Sequence, residues 1–415
     1  MDRIVVSESG PLEGEVPIHG AKNSVLKLMA ASLLAAGEYE LTNVPGIVDV
    51  ALMAELLEAM GAEVELAPPV CRILVPEIVR PEAPYELVER MRASIVVLGP
   101  LLARNGFARV ALPGGDDFGP RPIDMHLDAL RHLGAEFDTR HGNIEGRADQ
   151  LLGTEVLLEY PSVGATENLL MAAVLAKGET TIENAAREPE IADLAEFLGA
   201  MGACISGAGT STIVVEGTEE LHATNHSVVP DRIEAATFLA ALGVAGGELT
   251  LAGARSDHME MLLRKLSDMG MQICRTQTGI WAAVDGRLDA VDVATLPYPG
   301  VATDYKPFVV SMLAVANGVG IVTENIFGGR FRYVDELRRM GAEIRTEGHH
   351  AVVRGRERLS GAPVRAHDIR AGAALVVAGL AASGRTEITG VDHIDRGYTD
   401  LVGSLRAVGA DIERE

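Results

Sequence analysis

Apolar residues along this chain follow a pattern that repeats six times. An amphipathic stretch begins with Leu and ends in Gly, in the segments LEAMGAEV, LRHLGAEF, LGAMGACI, LSDMGMQI, LRRMGAEI and LRAVGADI. The repeat glycines lie 73, 68, 68, 71 and 68 residues apart, at Gly61, Gly134, Gly202, Gly270, Gly341 and Gly409. Self-similarity at a nearly constant spacing is the signature of a repeat architecture. Six copies of one unit therefore make up nearly the whole chain.

Each copy predicts a small α/β unit of the βαβαββ type. In the last copy Leu401, Leu405 and Val408 fall on one face of a helix predicted over 399–408. Gly409 supplies the left-handed residue that ends such a helix, and the residues after it alternate as in a strand. The predicted fold class is therefore α/β, built from six βαβαββ units.

Composition narrows the class of protein. A chain of 415 residues is too long for one compact core, which favours two domains. A net charge of −23 argues against a nucleic-acid partner. No apolar run reaches the roughly 18 residues of a membrane span, and the N-terminus lacks a signal-peptide layout. These features predict a cytoplasmic protein without a membrane partner.

Three cysteines, Cys71, Cys204 and Cys274, lie far apart in strand-like stretches. An odd count without close pairs argues against a disulfide framework or a zinc site. We expect buried thiols in a reducing compartment.

Two segments combine cations with helix starts or glycines. In GAKNSVLKLMAAS, Lys22 precedes an apolar helix that Asn23 or Ser24 is expected to cap, and a helix N-terminus with a Lys suits an anion. The segment LPGGDDFGPRPIDMH, 112–126, fits neither helix nor strand, and we interpret it as a lid-like surface loop.

Two further segments carry polar residues suited to a ligand-binding site. YPSVGATEN, 160–168, predicts a strand-to-helix junction whose backbone donors suit a phosphate or a nucleotide. HIDRGY, 393–398, predicts a polar loop before the last helix. Arg92, Arg330 and Arg370 lie near helix starts or loop ends, where each alone is expected to be a surface charge.

Together these residues resemble one family, the enolpyruvyl transferases, over essentially the whole chain. The matching segments are GAKNSVLKLMAAS, MRASIVVLGPLLAR, LPGG with GPRPIDMH, PSVGATEN, ENAAREPEI, PDRIEAATF, VATDYKP and HIDRGY. The resemblance implies two similar lobes, each an inside-out α/β barrel of three units. It implies one discontinuous lobe of 1–20 plus 230–415, a second lobe of 21–229, an active-site cleft between them and a lid loop at 112–122.

The resemblance also implies a reaction. The enolpyruvyl group of phosphoenolpyruvate would move to the 3-hydroxyl of UDP-N-acetylglucosamine, with release of phosphate, as the first committed step of peptidoglycan synthesis. One alternative is an enolpyruvyl transferase of secondary metabolism that acts on another nucleotide. Others are a non-catalytic nucleotide-sugar sensor and a purely structural repeat protein. No metal, organic cofactor or obligate protein partner is implied.

Residue matching to the family assigns roles. It implies that Asp304 is the base near the sugar hydroxyl and that Lys22, Arg121 and Arg396 hold phosphate. Arg92 and Arg370 would support the anionic substrate, and Arg330 would lie beside the sugar. The positions implied for the nucleotide sugar are Asn23, Arg121, Pro122, Ile123, Asp124, Met125, His126, Ser162, Val163, Gly164, Asp304 and Ile326.

Asp116 departs from the commonest family pattern. Many members carry Cys at this position, where it is the general acid and the target of the epoxide antibiotic fosfomycin, and an Asp form also exists. A free Asp with a pKa near 3.9 is ionised at neutral pH. Asp116 can therefore act as the acid only if its surroundings raise its pKa, as Asp117 favours and Arg121 opposes. We expect an enzyme that is insensitive to fosfomycin.

Overall fold

Each sequence repeat contributes three or four strands to one four-stranded sheet, and helices pack against these sheets. The computed structural model describes residues 2–114 and 123–415. The helices are α1 (Lys22–Ala31), α2 (Val48–Ala59), α3 (Tyr85–Val88), α4 (Leu98–Asn105), α5 (Asp124–His132), α6 (Val163–Ala173), α7 (Pro189–Ala200), α8 (Arg232–Ala245), α9 (Glu260–Asp268), α10 (Lys306–Val315), α11 (Tyr333–Arg339), α12 (Ile369–Leu380), α13 (Val391–Asp395) and α14 (Leu401–Ala407).

The strands follow in chain order, with short 3₁₀ turns at Ser32–Leu34, Arg92–Val97 and Ser256–His258. They are β1 (Arg3–Ser7), β2 (Leu12–Pro17), β3 (Gly37–Thr42), β4 (Glu63–Ala67), β5 (Val70–Val75), β6 (Glu82–Ala83), β7 (Phe107–Ala111), β8 (Glu136–Arg140), β9 (Asn143–Arg147), β10 (Glu155–Leu157), β11 (Glu179–Glu183), β12 (Cys204–Ser206), β13 (Thr212–Glu216), β14 (Asn225–Ser227), β15 (Gly247–Ala252), β16 (Gln272–Arg275), β17 (Gly279–Val284), β18 (Val293–Ala294), β19 (Val319–Thr323), β20 (Glu343–Glu347), β21 (His350–Arg354), β22 (Leu359–Ser360), β23 (Pro363–Arg365), β24 (Ala382–Ser383), β25 (Arg385–Thr389) and β26 (Ile412–Arg414).

Six four-stranded sheets occur within the described residues, and they share one topology. Their orders are β14-β3-β5-β4, β6-β7-β9-β8, β10-β11-β13-β12, β2-β15-β17-β16, β18-β19-β21-β20 and β23-β25-β1-β26. In each sheet the first strand is parallel to the second, and the other neighbours are antiparallel. The predicted α/β class is confirmed.

The backbone forms two units, each with its own hydrophobic core. Of the described residues, the split unit comprises 2–19 and 230–415, and the inserted unit comprises 20–114 and 123–229. The N-terminal strands belong to the split unit because β1 pairs with β25 and β26, and β2 pairs with β15.

Core helices in both units are buried on nearly every side. Every residue of α10 and α12 is buried, and so is all of α1 except Asn23. In the split unit α8, α10 and α12 contact one another. A helix that is apolar all round is stable in water only inside a core, so the sheets lie outside the helices. Among the described residues no helix combines the length and apolar character needed to cross a bilayer.

The repeated Leu and Gly belong to one helix-ending motif. The six repeat glycines have φ between +85° and +112°, which favours Gly. In each copy the residue after Gly donates its N–H to the carbonyl of the repeat Leu, at 3.0–3.2 Å, which is the long bond of a Schellman motif. Each of these leucines is buried. The predicted left-handed helix ends are confirmed, and the motif explains why Leu and Gly recur together.

The last helix is shorter than its predicted span. It covers Leu401–Ala407 because the Asp400 carboxylate accepts the Gly403 N–H at 2.8 Å and caps the helix there.

The expectation of buried thiols is wrong for two of the three cysteines. Cys71 is buried in β5, an inner strand, whereas Cys204 and Cys274 are exposed. These two lie in β12 and β16, which are edge strands of their sheets. The alternating pattern of a strand identified the elements but not which of them lie at an edge.

Two glycines provide a stability test with opposite signs. A Cβ at Gly61 would meet nothing within 4 Å, but its φ is +102°, so we expect Gly61→Ala to lower the free energy of unfolding by about 1–2 kcal/mol. Gly199 lies within α7, also with nothing near its Cβ position, so Gly199→Ala should raise it by about 0.5–1 kcal/mol. Urea midpoints of both variants and the wild type measure this, and equal shifts would contradict the helix-end assignment.

Candidate functional site

In the inserted unit, Lys22 is the first residue of α1 and is paired with a buried acid. Its Nζ lies 2.7 Å from Asp49 Oδ2, and the two side chains are 10% and 2% exposed. The expected cap is wrong: Ala21 is the cap residue and no side chain caps the helix, so Asn23 and Ser24 lie in its first turn. Lys22 is therefore a positioned charge at a helix N-terminus.

His126 packs on the start of α6. It lies in the first turn of α5, which begins at Asp124, so the predicted loop over 112–126 ends earlier than expected. A Cβ added at Gly164 would lie 2.8 Å from His126 Cε1. Gly164 is therefore required by the approach of the imidazole ring.

The protonation state of His126 follows from its neighbours. Asn168 Oδ1 accepts the Gly99 N–H at 2.8 Å, which orients the amide so that its Nδ2 donates to His126 Nδ1 at 2.8 Å. Burial, and then the positive charge of Arg92, lower the pKa of His126 to about 4. The ring is therefore neutral at pH 7 and carries its proton on Nε2.

The remaining predicted residues of this unit surround the same helix starts. Ser162 caps α6 by accepting the Ala165 N–H at 3.4 Å, and Val163 and Gly164 are half-buried. Arg92 begins a 3₁₀ turn, and burial lowers its pKa. Ile123 and Met125 are half-buried at the start of α5, where the exposed Asp124 accepts the Met125 N–H. Asp116, Arg121 and Pro122 lie outside the described residues, as does most of the predicted lid.

The split unit gathers Asp304 with arginines. Arg330 Nη2 donates to Asp304 Oδ1 at 2.9 Å, and Arg330 Nη1 donates to Thr303 Oγ1 at 3.2 Å. Burial alone would raise the pKa of Asp304, but the charges of Arg330, Arg370 and Arg232 hold it far below its usual range. The Asp304 side chain is 27% exposed, so an ionised carboxylate faces outward from a cationic setting.

The interpretation of single arginines as surface charges is wrong for two of them. Arg330 and Arg370 are each 4% exposed. Arg370 lies in the first turn of α12, and its Nη1 has no hydrogen-bond partner among the described residues. A buried guanidinium with an unused donor is suited to an anionic ligand.

Sequence reasoning missed a buried pair that supports this cluster. Lys306 Nζ lies 2.8 Å from Glu324 Oε2, and both side chains are 0% exposed. Glu324 Oε1 accepts the Ile326 N–H at 2.8 Å, which fixes the half-buried Ile326, and Lys306 donates to the Arg330 carbonyl. Lys306 lies two residues after Asp304 in the matched segment VATDYKP, so its place in that segment could have identified it as a site residue.

Arg232 was also missed, although it lies within the matched segment PDRIEAATF. It is the first residue of α8, and its Nη1 donates to Tyr305 Oη at 3.3 Å. Its position one residue after the Asp231 cap was the available signal.

The segment HIDRGY is not simply a loop. Its first three residues complete α13, and the half-buried Arg396 is the residue that ends this helix. Tyr398 is buried and hydrogen-bonds Thr237 at 2.7 Å, with the Arg370 guanidinium 5.9 Å from its ring centre. The Tyr398 end of this segment is therefore anchored to α8, which carries Thr237.

Among the described residues no cluster of His, Cys, Asp and Glu could hold a metal ion.

The fold and these residues define the class. The family model for EPSP synthase (3-phosphoshikimate 1-carboxyvinyltransferase) matches residues 6–405, and the chain belongs to this family. The enolpyruvyl transferase NikO from Streptomyces tendae shares the fold with a TM-score of 0.90 at 27% identity, covering 100% of this chain and 98% of that one. EPSP synthase from Acinetobacter baumannii shares the fold with a TM-score of 0.77 at 19% identity, covering 100% of both chains. The predicted enolpyruvyl transferase fold is confirmed.

Relatives with higher identity carry one name. UDP-N-acetylglucosamine 1-carboxyvinyltransferase from Mycobacterium bovis is 51% identical over 413 residues, covering 100% of this chain and 99% of that protein. UDP-N-acetylglucosamine 1-carboxyvinyltransferase 1 from Caldanaerobacter subterraneus is 49% identical, with 100% and 99% covered.

The neutral state of His126 predicts a pH dependence of stability. Its pKa is about 4 in the folded protein and about 6.5 in the unfolded chain, so unfolding takes up one proton between these values. The free energy of unfolding should therefore fall as pH decreases from 6.5 to 4, by up to about 1.4 kcal/mol per pH unit from this group. We expect His126→Gln to remove this contribution.

Urea unfolding of wild type and His126→Gln at pH 7, 6 and 5 measures the difference, because other titrating groups contribute to both proteins. A constant difference across these pH values would show that His126 does not titrate as its surroundings indicate.

Proposed function

We propose that this protein transfers the enolpyruvyl group of phosphoenolpyruvate to the 3-hydroxyl of UDP-N-acetylglucosamine, releasing phosphate. This is the first committed step of peptidoglycan synthesis. The observation that carries the proposal is the ionised, partly exposed Asp304 held by Arg330 beside Arg370. The relatives at about half identity support the choice of acceptor.

Asp304 is the proposed base, and its setting couples proton transfer to substrate binding. Its low pKa keeps the carboxylate ionised but makes it a weak acceptor in the free protein. A phosphate or carboxylate bound at Arg370 would neutralise part of the positive field. The pKa of Asp304 would then rise towards the range in which it can take the hydroxyl proton.

The substrate anions have donors suited to them. We propose that Lys22, Arg121 and Arg396 bind the phosphate and that Arg92 and Arg370 support the anionic substrate. The unused Nη1 of Arg370 supports this role. Preorganised cations of this kind stabilise the charge that develops as phosphate departs.

In the inserted unit the nucleotide sugar is proposed to bind at the helix starts, and in the split unit the residues proposed for it are Asp304, Ile326 and Arg330. The neutral His126 offers an Nε2 donor, and Ser162 with Val163 begins a helix whose N–H groups favour anions. The set proposed for this ligand is Asn23, Arg121, Pro122, Ile123, Asp124, Met125, His126, Ser162, Val163, Gly164, Asp304, Ile326 and Arg330.

Asp116 is the proposed general acid for C3 of phosphoenolpyruvate. The adjacent negative charge of Asp117 would raise its pKa, as an acid at neutral pH requires. Proton donation to C3 and attack of the sugar hydroxyl on C2, with Asp304 taking the hydroxyl proton, then give a tetrahedral ketal. Loss of phosphate and of a C3 proton from this ketal gives the enol ether.

The similarity to NikO supports enolpyruvyl transfer but no particular acceptor, so the second candidate is an enolpyruvyl transferase acting on another nucleotide. Its 27% identity is well below the 51% of the first relative named above, so the peptidoglycan acceptor is preferred.

Phosphate release from phosphoenolpyruvate tests the proposal, with UDP-N-acetylglucosamine, shikimate 3-phosphate and UMP compared as acceptors. We expect release with UDP-N-acetylglucosamine only, together with a product of enolpyruvyl-adduct mass. Asp304→Asn should lower kcat on the order of 10²–10⁴-fold.

Asp335→Asn is the matched control, because Asp335 is a 73% exposed carboxylate of the split unit, and we expect it to keep the wild-type rate. Phosphate release with another nucleotide alone would favour the second candidate. No phosphate release with any of the three acceptors would contradict both candidates.

Fosfomycin distinguishes an acid at Asp116 from a thiol. Without a thiolate to open the epoxide, the wild type should keep its activity, whereas Asp116→Cys should be inactivated with time and gain a covalent adduct by mass spectrometry. Asp116→Asn should lose on the order of 10²–10⁴-fold in kcat. Covalent labelling of the wild type, or near-normal turnover of Asp116→Asn, would refute the assignment.

A further inference from the structure

The first turn of α1, which carries Lys22 and Asn23, is held from two directions. On one side Ser24 Oγ donates to Asp193 Oδ2, and His226 Nε2 lies 2.8 Å from Asp193 Oδ1. Ser24 and Asp193 are buried. Each oxygen of this carboxylate has a hydrogen-bond partner, so this anchor is complete.

The other anchor is Lys27, one helical turn after Asn23. Its Nζ donates to the Asn23 carbonyl at 2.8 Å and lies 3.6 Å from Glu167 Oε1 on α6. The side chains of Lys27 and Glu167 are 10% and 2% exposed. This ammonium therefore links the first turn of α1 to the helix that Ser162 begins.

Glu167 is an incomplete partner in this link. No described residue lies within hydrogen-bond distance of its Oε1. Lys27 faces it from α1, and Glu190 and Glu188 face it from the start of α7. Burial raises the pKa of Glu167 to about 7, with Lys27 opposing the rise and Glu190 and Glu188 adding to it. Both protonation states of Glu167 are therefore populated near neutral pH.

We propose that Glu167 is a positioning residue, which acts through Lys27 to hold Asn23 in place for the sugar substrate and releases this hold when it is protonated. The ionised carboxylate attracts Lys27 and keeps it beneath the Asn23 carbonyl. The protonated form leaves the ammonium without that counter-charge in a poorly hydrated position, so the turn gains freedom. This inference rests on the proposed function only for the role of Asn23.

Glu167→Gln reproduces the protonated form at every pH and so tests the inference. We compare kcat and KM for UDP-N-acetylglucosamine from pH 5.5 to 8.5 in wild type, Glu167→Gln and Glu145→Gln. Glu145 is a matched control, since it is a 6% exposed acid of the same unit that pairs with Arg109 in the β7–β9 sheet.

At pH 8 we expect Glu167→Gln to reduce kcat/KM on the order of tenfold, mainly through KM. At pH 6 it should approach the wild type, so the inflection near pH 7 is lost. Glu145→Gln should keep the wild-type pH profile. A Glu167→Gln profile parallel to that of the wild type would overturn the proposal, since a merely structural role lowers activity equally at all pH values.

Hydrogen exchange without substrate separates this test from the proposed reaction. At pH 8 the amides of 23–27 should exchange faster in Glu167→Gln than in wild type, and at pH 6 the two should agree. Equal exchange at both pH values would refute the positioning role even in an active enzyme. An inactive wild type that shows the pH-dependent difference would refute the proposed reaction and leave the Glu167 link supported.

Discussion

Burial of the core helices on nearly all sides is the constraint on which the rest of this structure depends. A helix without an exposed flank can present polar chemistry only at its ends, because a buried polar group along its length needs a partner. The candidate residues follow this rule: Lys22 begins α1, Ser162 caps α6 and Arg370 lies in the first turn of α12. The repeated core therefore limits functional side chains to the helix ends, but it does not determine which residue types lie there.

Cations at helix N-termini oppose the helix dipole, which favours negative charge there. The protein offsets this with buried acids: Asp49 pairs with Lys22, and Glu324 pairs with Lys306. Each pair is costly to bury and is stable only with good geometry and further hydrogen bonds. An incoming anion would add the charge that a helix N-terminus favours, which supports the proposal that phosphate binds at Lys22.

The same helix-ending motif closes all six repeats, yet the polar groups differ from one repeat to the next. The motif needs only a buried Leu, a Gly at positive φ and the following N–H, and none of these groups reacts. The residues at the helix starts are free to vary because the ends of each unit are already set. Because the helix-ending motif and the polar residues occupy different positions, similar units can carry an ionised carboxylate such as Asp304 in one copy and a neutral His126 in another.

The sequence by itself determined the repeat, the α/β class, the helix-ending glycines and the family, because these depend on local periodicity and on motifs of contiguous residues. It also placed Asp304 and Gly164 among the candidate residues. Only the tertiary structure decided the protonation states: the Asp304 carboxylate is strongly acidic because Arg330 lies against it, and His126 is neutral because it is buried near the charge of Arg92. Protonation depends on burial and on partners distant in the chain, and the packing of the helices brings those partners together.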